Sequence, residues 1–185
     1  MQELGRERKT ILYTCFIDLQ KAYASVDGEL LWKVLTRFGV PAKMPAVIRQ
    51  FHDSMGACVR TDNGEYSKLF SVTQGLRQGC VLSPLPFHVF FAAAIHVVLV
   101  RFSEDEDIVR ELVRLEEDVV VGKEVPLACV RRAVWGMLFA DDAGIVSKSA
   151  EGLAKMMTVI VTVFEAAGLT VSEKKTETML PRTPG

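Results

Sequence analysis

The chain has 185 residues, 49% of them hydrophobic, and a mean hydropathy of +0.21, so it carries enough apolar material for one folded domain and is not a disordered chain. Its 22 Lys and Arg residues nearly balance its 23 Asp and Glu residues, and the net charge of −1 argues against a complete nucleic-acid-binding protein, which would be basic. The four cysteines form no CxxC pair and show no zinc-like spacing with the three histidines, which predicts reduced, mostly buried thiols in an intracellular protein.

No targeting or membrane segment is predicted. The N-terminal residues MQELGRERKT are charged and lack the apolar core of a secretory signal. The most apolar segment, residues 85–100, includes His88 and His96 and is shorter than the ~20 residues of a membrane span. We therefore predict a buried helix over this segment and no membrane partner.

A first strand is predicted over residues 10–19, TILYTCFIDL, because they form a nearly continuous apolar run. Its one charge, Asp18, lies near the carboxyl end, which is a typical position for a functional carboxylate. A helix follows, with Asp27 as its N-cap and Gly39 at its end. The apolar stripe of this helix consists of Leu30, Leu31, Val34, Leu35 and Phe38.

A second helix and a hairpin come next. The helix is predicted to run from Pro41 or Pro45 to Met55. Its predicted buried residues are Val47, Ile48 and Phe51. The dipeptide Asn63-Gly64 stands between two runs that alternate like strands, which predicts a hairpin turn.

A loop rich in glycine and glutamine, TQGLRQGCVLSPLPF, leads into the long apolar helix. Gly75 and Gly79 allow backbone conformations that other residues avoid, and Ser83-Pro84 is a typical helix start. Such a loop can bring backbone amides and the Gln78 side chain close to a ligand. The alternative is a plain connecting loop.

Residues 103–131 differ in character from the rest of the chain. They are strongly charged, with Ile108, Leu112 and Leu115 spaced along one helical face. This pattern predicts an exposed amphipathic helix within a peripheral insertion that carries no chemistry.

The last part of the chain predicts a core helix and two short strands. The helix covers residues 152–168, and Gly168 ends it. Its predicted core positions are Leu153, Met156, Met157, Ile160, Val161 and Phe164. The strands lie around a turn that carries Lys174 and Lys175.

The most informative stretch is AVWGMLFADDAGIVS, residues 133–147. Two apolar runs flank Asp141 and Asp142, as in a β-hairpin with an acidic tip. Adjacent carboxylates repel each other, so they require a compensating cation or full exposure to water. The hairpin alone leaves both an ordinary polar turn and a metal site open.

Together these elements predict an α+β fold with a small antiparallel sheet backed by helices. If the strand that ends at Asp18 pairs with the acidic hairpin, three carboxylates meet at one end of the sheet. Such a cluster suits a divalent metal ion, because Mg²⁺ prefers carboxylate oxygens.

Four segments, in this order along the chain, carry a resemblance to a known family: FIDLQKAYASVD, GLRQGCVLSP, FADDAGIVS and AGLTVSEKKTETM. They resemble the palm motifs of reverse transcriptases, specifically those of non-LTR, LINE-like retrotransposons. The resemblance covers about residues 11–180. It implies a partial reverse transcriptase domain, the polymerase palm, over residues 1–185.

The resemblance implies an RNA-directed DNA polymerase that adds nucleotides to a primer 3′-hydroxyl. Its implied partners are an RNA template, a DNA primer and dNTP, and its implied location is the cytoplasm or the nucleus. Asp18, Asp141 and Asp142 match the family's catalytic aspartates, which implies that Asp18 and Asp141 bind two Mg²⁺ ions, or Mn²⁺, while Asp142 assists. Two cations about 3.5–4 Å apart activate the primer hydroxyl and stabilise the leaving pyrophosphate.

The resemblance also implies roles for residues outside the aspartates. Tyr23 matches an aromatic residue that excludes a ribose 2′-hydroxyl, and Gln78 and Gly79 match a loop that contacts nucleotide and template. Lys175 matches a catalytic lysine that neutralises or protonates the leaving pyrophosphate. The plain alternatives are a core tyrosine, a connecting loop and a solvated turn lysine.

The chain departs from the family pattern at four positions, Ala24, Val81, Pro86 and His88. The basic fingers segment, the thumb and an endonuclease are not recognised in it, so we expect incomplete fingers, no thumb, and weak or no activity in isolation. Two other functions stay open. One is a non-catalytic remnant of a degenerate retroelement, and the other is a different palm polymerase, such as a group II intron maturase or an RNA-dependent RNA polymerase, the last disfavoured by Tyr23.

Overall fold

A computed structural model of the chain describes residues 12–117, 138–139 and 142–179, with residues 113–117, 138–139 and 142 described by their backbone only. In chain order the elements are β1 (Tyr13–Ile17), β2 (Leu19–Gln20), α1 (Ala22–Ser25), α2 (Gly28–Arg37), α3 (Lys43–His52), β3 (Gly56–Ala57), β4 (Phe70–Ser71), α4 (Pro84–Glu104), α5 (Glu106–Glu117), β5 (Leu138–Phe139), β6 (Asp142–Ser147), α6 (Ala150–Ala166), β7 (Thr170–Val171) and β8 (Glu177–Met179). The chain divides into two compact units, residues 21–93 and residues 1–20 with 94–185.

The unit that contains β1 and α6 is built on an antiparallel four-stranded sheet with the order β5-β6-β1-β8. β1 pairs with β6 from Tyr13 opposite Ser147 to Ile17 opposite Ala143. Within β1, Ile17 is 1% exposed and Phe16 is 46% exposed, so the strand buries one face only. One-sided burial is what helices packed on a single face of an antiparallel sheet produce. The first strand pairs with β6 of the acidic hairpin, which is the condition on which the expected cluster of carboxylates depends.

Helix α6 is the main cover of this sheet and contacts β1, β6 and β7. It begins after Ser149, whose Oγ accepts a hydrogen bond from the Gly152 backbone N–H at 3.0 Å. Four of its six predicted core residues are buried: Leu153, Met156, Ile160 and Phe164. The predicted helix is therefore confirmed, with its start two residues earlier than expected.

Helix α5 packs on α6 and on β6, and it buries Ile108 and Leu112. This confirms an amphipathic helix in the charged segment. Its buried Glu111 accepts a hydrogen bond at 3.2 Å from the fully buried Ser147 hydroxyl. Residues 118–131 of the predicted peripheral insertion lie outside the described residues, so that assignment stays a prediction.

The two strands predicted around the lysine turn are present, but they do not pair with each other. β7 pairs with β2 in a separate two-stranded sheet, whereas β8 pairs with β1 at the edge of the four-stranded sheet. The turn between them therefore bridges two sheets.

In the unit of residues 21–93, helices α2 and α3 contact each other. The Asp27 side chain accepts a hydrogen bond from the Leu30 N–H at 2.8 Å, which confirms the predicted N-cap. Leu31 and Leu35 are buried at 0% and 2% exposure, and Ile48 of α3 is buried at 9%.

Three apolar residues are not buried as predicted: Phe38, the C-cap of α2, and Val47 and Phe51 of α3 are 54%, 50% and 58% exposed. Helical periodicity identifies an apolar face, but burial of that face requires a neighbouring layer. Among the described residues of this unit, no layer packs over these three side chains closely enough to bury them. The predicted hairpin that follows α3 is confirmed by the pairing of β3 with β4 and by Gly64, whose φ is +84°.

Helix α4 is 21 residues long, so the length argument made against a membrane span does not hold for it. Within the described part of the chain it is the one helix long and apolar enough to cross a membrane by length and composition, and half of its apolar window is buried inside the protein. The same features are typical of a core helix. Phe87 is 0% exposed, but Leu85, Val97 and Val100 are exposed, so the predicted burial of residues 85–100 is confirmed only in part.

We predict that Gly152→Ala destabilises the fold. A Cβ at this position would lie 2.7 Å from Ser147 Oγ and 2.8 Å from Glu111 Cγ, both buried. Overpacking of this kind costs about 1–3 kcal/mol, which exceeds the helix preference of alanine over glycine. Urea denaturation followed by circular dichroism measures the free energy of unfolding.

Gly28→Ala is the matched control, because Gly28 also lies in the first turn of a helix, and its added Cβ would meet only Trp32 Nε1 at 3.7 Å. This variant is expected to be as stable as the parent or slightly more stable. Equal stability of Gly152→Ala and the parent would contradict the packing described here.

Candidate active site

Asp18 lies at the junction of two sheets. β1 ends at Ile17 and β2 begins at Leu19, so the chain passes from the four-stranded to the two-stranded sheet at this single residue. The backbone carbonyl of Asp18 accepts a hydrogen bond from the Ser172 N–H at 2.8 Å. The main chain of Asp18 is therefore held between its strand and the turn after β7.

The strand register brings Asp18 to the acidic hairpin. Ile17 stands opposite Ala143, and Asp18 follows Ile17 in one strand while Asp142 precedes Ala143 in its antiparallel neighbour. Asp18 and Asp142 therefore occupy the same end of the sheet. Asp142, which also stands opposite Phe139, is described by its backbone only. Asp141 lies outside the described residues.

One carboxylate oxygen of Asp18 is buried without a hydrogen bond. The Oδ1 atom has no hydrogen-bond partner among the described residues, although 29% of the side chain is exposed. A buried charged oxygen is costly to desolvate unless a cation or a donor compensates it. The nearest described cation is the Lys175 ammonium, whose Nζ lies 3.4 Å from this oxygen.

Lys175 reaches Asp18 because its turn is anchored there. Ser172 is 5% exposed, and its carbonyl accepts hydrogen bonds from the N–H groups of Lys175 at 3.1 Å and Thr176 at 2.8 Å. The Ser172 N–H in turn donates to the Asp18 carbonyl. The sequence predicts Lys175 on a turn, but it does not predict the contact with Asp18, because that contact depends on the pairing of β7 and β8 with different strands.

The Asp18 oxygen fits a hard divalent cation. Such ions bind carboxylate oxygens directly, and Oδ1 is a buried acceptor that no hydrogen bond occupies in the described part of the chain. Among residues whose side chains are described, no group of three His, Cys, Asp or Glu could hold a metal ion. The hairpin carboxylates are outside that set, so Asp18 is the one proposed ligand whose surroundings are described.

Tyr23 belongs to the other unit and packs on an aromatic residue of α4. Its ring lies 4.5 Å from the Phe87 ring, centroid to centroid, and the two planes are 19° apart. The Tyr23 carbonyl accepts a hydrogen bond from the Leu76 N–H at 2.7 Å. The ring and the backbone of Tyr23 are therefore both held, one by the helix and the other by the glycine loop.

The part of the loop that contacts α1 is residues 74–76. Gln74 Nε2 donates to the Ser25 carbonyl at 2.9 Å, and the Gly75 N–H donates to the Val26 carbonyl at 3.0 Å. Gly75 has a φ of +90°, and a Cβ there would lie 2.6 Å from the Ala24 Cα. Neither the contact of Gln74 nor this close approach was expected from the sequence, where a glycine beside a polar amide was the available signal.

Gln78 and Gly79, the two loop residues that the resemblance implies, lie on the exposed part of the same loop. Gly79 has a φ of +83°, and a Cβ there would meet nothing within 4 Å. The structure thus brings Tyr23 together with residues 74–76, whereas Gln78 and Gly79 are open to solvent.

Residues 2–184 match the family model described as reverse transcriptase (RNA-dependent DNA polymerase). The chain belongs to this reverse transcriptase family. Its fold, mixed helices with small antiparallel sheets, is the palm-like fold of the family, as the sequence predicts.

Solved telomerase structures are similar to this reverse transcriptase domain. A telomerase from Candida albicans in complex with a TWJ fragment of telomeric RNA has a TM-score of 0.59 and 13% identity, and the match covers 100% of this chain and 29% of that chain. An apo telomerase from Candida tropicalis, truncated from its C-terminal domain, has a TM-score of 0.53 and 17% identity over 99% and 34% of the two chains. The reverse transcriptase domain thus spans about a third of these proteins or less, and the likeness shows the fold alone.

The cysteines of this reverse transcriptase domain differ in exposure, so the prediction of mostly buried thiols is only partly confirmed. Cys15 is buried and Cys58 is exposed, while Cys129 lies outside the described residues. Burial raises the pKa of the Cys15 thiol. Hydrogen bonding from the Leu82 backbone, followed by bonding from Ser83, lowers the pKa of the Cys80 thiol below its ordinary value.

We predict that Gly75→Ala destabilises residues 21–93 more than Gly79→Ala does. Both glycines have positive φ, which costs other residues about 1–2 kcal/mol, but only Gly75 also has backbone atoms where its Cβ would lie. The free energy of unfolding is expected to fall by about 1 kcal/mol for Gly79→Ala and by about 2–4 kcal/mol for Gly75→Ala. Urea denaturation provides the comparison, and equal losses would contradict the close packing of Gly75 on Ala24.

We predict that Cys80 is alkylated at lower pH in the folded protein than in urea. The thiolate is the reactive form, so a lowered pKa shifts the midpoint of the rate-against-pH curve downward. Iodoacetamide labelling of a variant that keeps only Cys80, followed by mass spectrometry, measures this midpoint in both states. The same midpoint in both states would show that the Leu82 and Ser83 hydrogen bonds have no effect in solution.

Proposed function

We propose that this chain is the palm of an RNA-directed DNA polymerase that uses an RNA template, a DNA primer and dNTP. Membership of the reverse transcriptase family supports the reaction class. The telomerase that is similar in fold was solved with an RNA fragment, which agrees with an RNA partner. The sequences of two motifs, FIDLQKAYASVD and FADDAGIVS, support a non-LTR retrotransposon as the source of the domain.

We propose Asp18 and Asp141 as ligands of two Mg²⁺ ions, or Mn²⁺, with Asp142 assisting. The observation that carries this proposal is the buried Asp18 oxygen without a hydrogen bond, at the sheet end where β6 begins with Asp142. When bound, the ions supply Lewis-acid activation of the primer hydroxyl and charge stabilisation of the leaving group. The role of this chain's residues would be to hold the carboxylate oxygens at the end of the sheet where β1 stops and β6 begins.

We propose that the other site residues position the nucleotide. The stacking of Tyr23 on Phe87 holds a ring that would exclude a 2′-hydroxyl by contact, and the hydrogen bond from the Leu76 N–H to the Tyr23 carbonyl fixes the backbone of this residue. Gln78 and Gly79 would contact nucleotide and template from the exposed loop. Lys175 would neutralise or protonate the leaving pyrophosphate from the turn beside Asp18.

Asp18→Asn is expected to weaken divalent-metal binding about tenfold or more, because it removes a charged ligand oxygen. Titration of the purified protein with Mn²⁺, followed by electron paramagnetic resonance of the free ion, measures the Kd directly. Asp62→Asn is the matched control. This substitution removes the same charge, but Asp62 is exposed in the hairpin turn of the other unit.

Unchanged Mn²⁺ affinity in Asp18→Asn would contradict the metal site. Primer extension with an RNA template and Mg²⁺ then tests the polymerase itself. Asp18-dependent metal binding without any extension would support the alternative of a non-catalytic remnant.

A further inference from the structure

The Asp18 and Lys175 side chains form an ion pair whose two members differ in their exposure to solvent. Asp18 Oδ1 is buried, whereas the Lys175 side chain is 70% exposed. Lys175 Nζ lies 3.4 Å from Asp18 Oδ1, which is close enough for an ion pair. The two groups are not aligned as a hydrogen bond, and Oδ1 has no hydrogen-bond partner in the described part of the chain. Lys175 therefore compensates the charge of Asp18 without using its acceptor position.

The geometry separates the backbone of Lys175 from its side chain. The backbone is fixed, since the Lys175 N–H donates to Ser172, whose own N–H donates to the Asp18 carbonyl. The side chain is a flexible stem in solvent, and within the described ranges Asp18 is the one acid that pairs with it. The ammonium can therefore leave Asp18 by rotation of its own side chain while the turn stays in place.

We infer that Lys175 is a tethered counter-ion that competes with divalent metal for Asp18. This inference rests on the proposed function of Asp18 as a metal ligand. In the metal-free protein the ammonium offsets the buried carboxylate. Metal binding at Oδ1 would displace the ammonium, because a second cation bound at the oxygen that lies 3.4 Å from Nζ repels it.

Two consequences follow for this site. Lys175 lowers the apparent metal affinity, since part of the binding free energy is used to break the ion pair. Metal binding also frees the Lys175 ammonium for solvent or for a ligand that arrives with the metal. The neighbouring Lys174 is exposed and carries the same charge on the same turn, and it has no described contact with Asp18.

The test compares Mn²⁺ affinity in Lys175→Met and Lys174→Met by electron paramagnetic resonance. Lys175→Met is expected to bind Mn²⁺ roughly two- to fivefold more tightly than the parent, the range that corresponds to loss of an exposed ion pair. Lys174→Met is expected to match the parent. Unchanged or weaker binding in Lys175→Met, or an equal gain in both variants, would overturn the inference.

A second measurement tests the chemical reactivity of the Lys175 amine. Acetic anhydride labelling of the parent protein, analysed by mass spectrometry, is expected to show higher reactivity of Lys175 relative to Lys174 when Mg²⁺ is added. A constant ratio would overturn displacement.

The Mn²⁺ titrations distinguish a protein that lacks competition between Lys175 and metal from a protein that lacks the metal site. If the parent binds Mn²⁺, Asp18→Asn loses that binding, and Lys175→Met matches the parent, then the proposed site stands and only the competition is excluded. If neither the parent nor Lys175→Met binds Mn²⁺, both proposals fall.

Discussion

The pairing of β1 with β6 is the constraint on which the rest of the structure depends. Side chains alternate along a strand, so a shift of one residue in this register would turn Ile17 from the core to solvent and bring Phe16 inward. The same shift would move Asp18 relative to the start of β6. Burial of one sheet face beneath α6 therefore sets the packing and also the position of the carboxylate.

The two compact units place residues by different means. Around Asp18 the arrangement comes from strand pairing and from one anchored turn, which together bring residues from distant parts of the sequence to one sheet end. Around Tyr23 it comes from a loop whose backbone is hydrogen-bonded directly to the chain after β2, with a glycine where a side chain would collide. Both arrangements rely on main-chain hydrogen bonds, and the second also requires a residue without a Cβ at Gly75.

Local patterns in the sequence predicted the elements well. The strand before Asp18, the Asp27 cap, the Asn63-Gly64 turn and the core stripe of α6 each have a short-range cause, and the structure contains all four. The family resemblance predicted the fold, which the family match confirms.

Features that depend on distant residues were not predictable in the same way. The exposure of Phe38, Val47 and Phe51 depends on whether another layer covers them, which helical periodicity does not report. The separate partners of β7 and β8, and hence the contact of Lys175 with Asp18, are set by tertiary pairing. The approach of Gly75 to Ala24 likewise joins segments about fifty residues apart.

Asp18 takes part in two interactions that belong to different atoms. Its carbonyl oxygen secures the turn at Ser172, and its carboxylate receives the charge of that turn's lysine. Any amino acid at this position would keep the first interaction, because every residue has a carbonyl. A copy of this domain with another residue in place of Asp18 would thus keep this backbone hydrogen bond and lose the contact with Lys175. Likeness of backbone fold therefore does not show that the proposed metal site is intact.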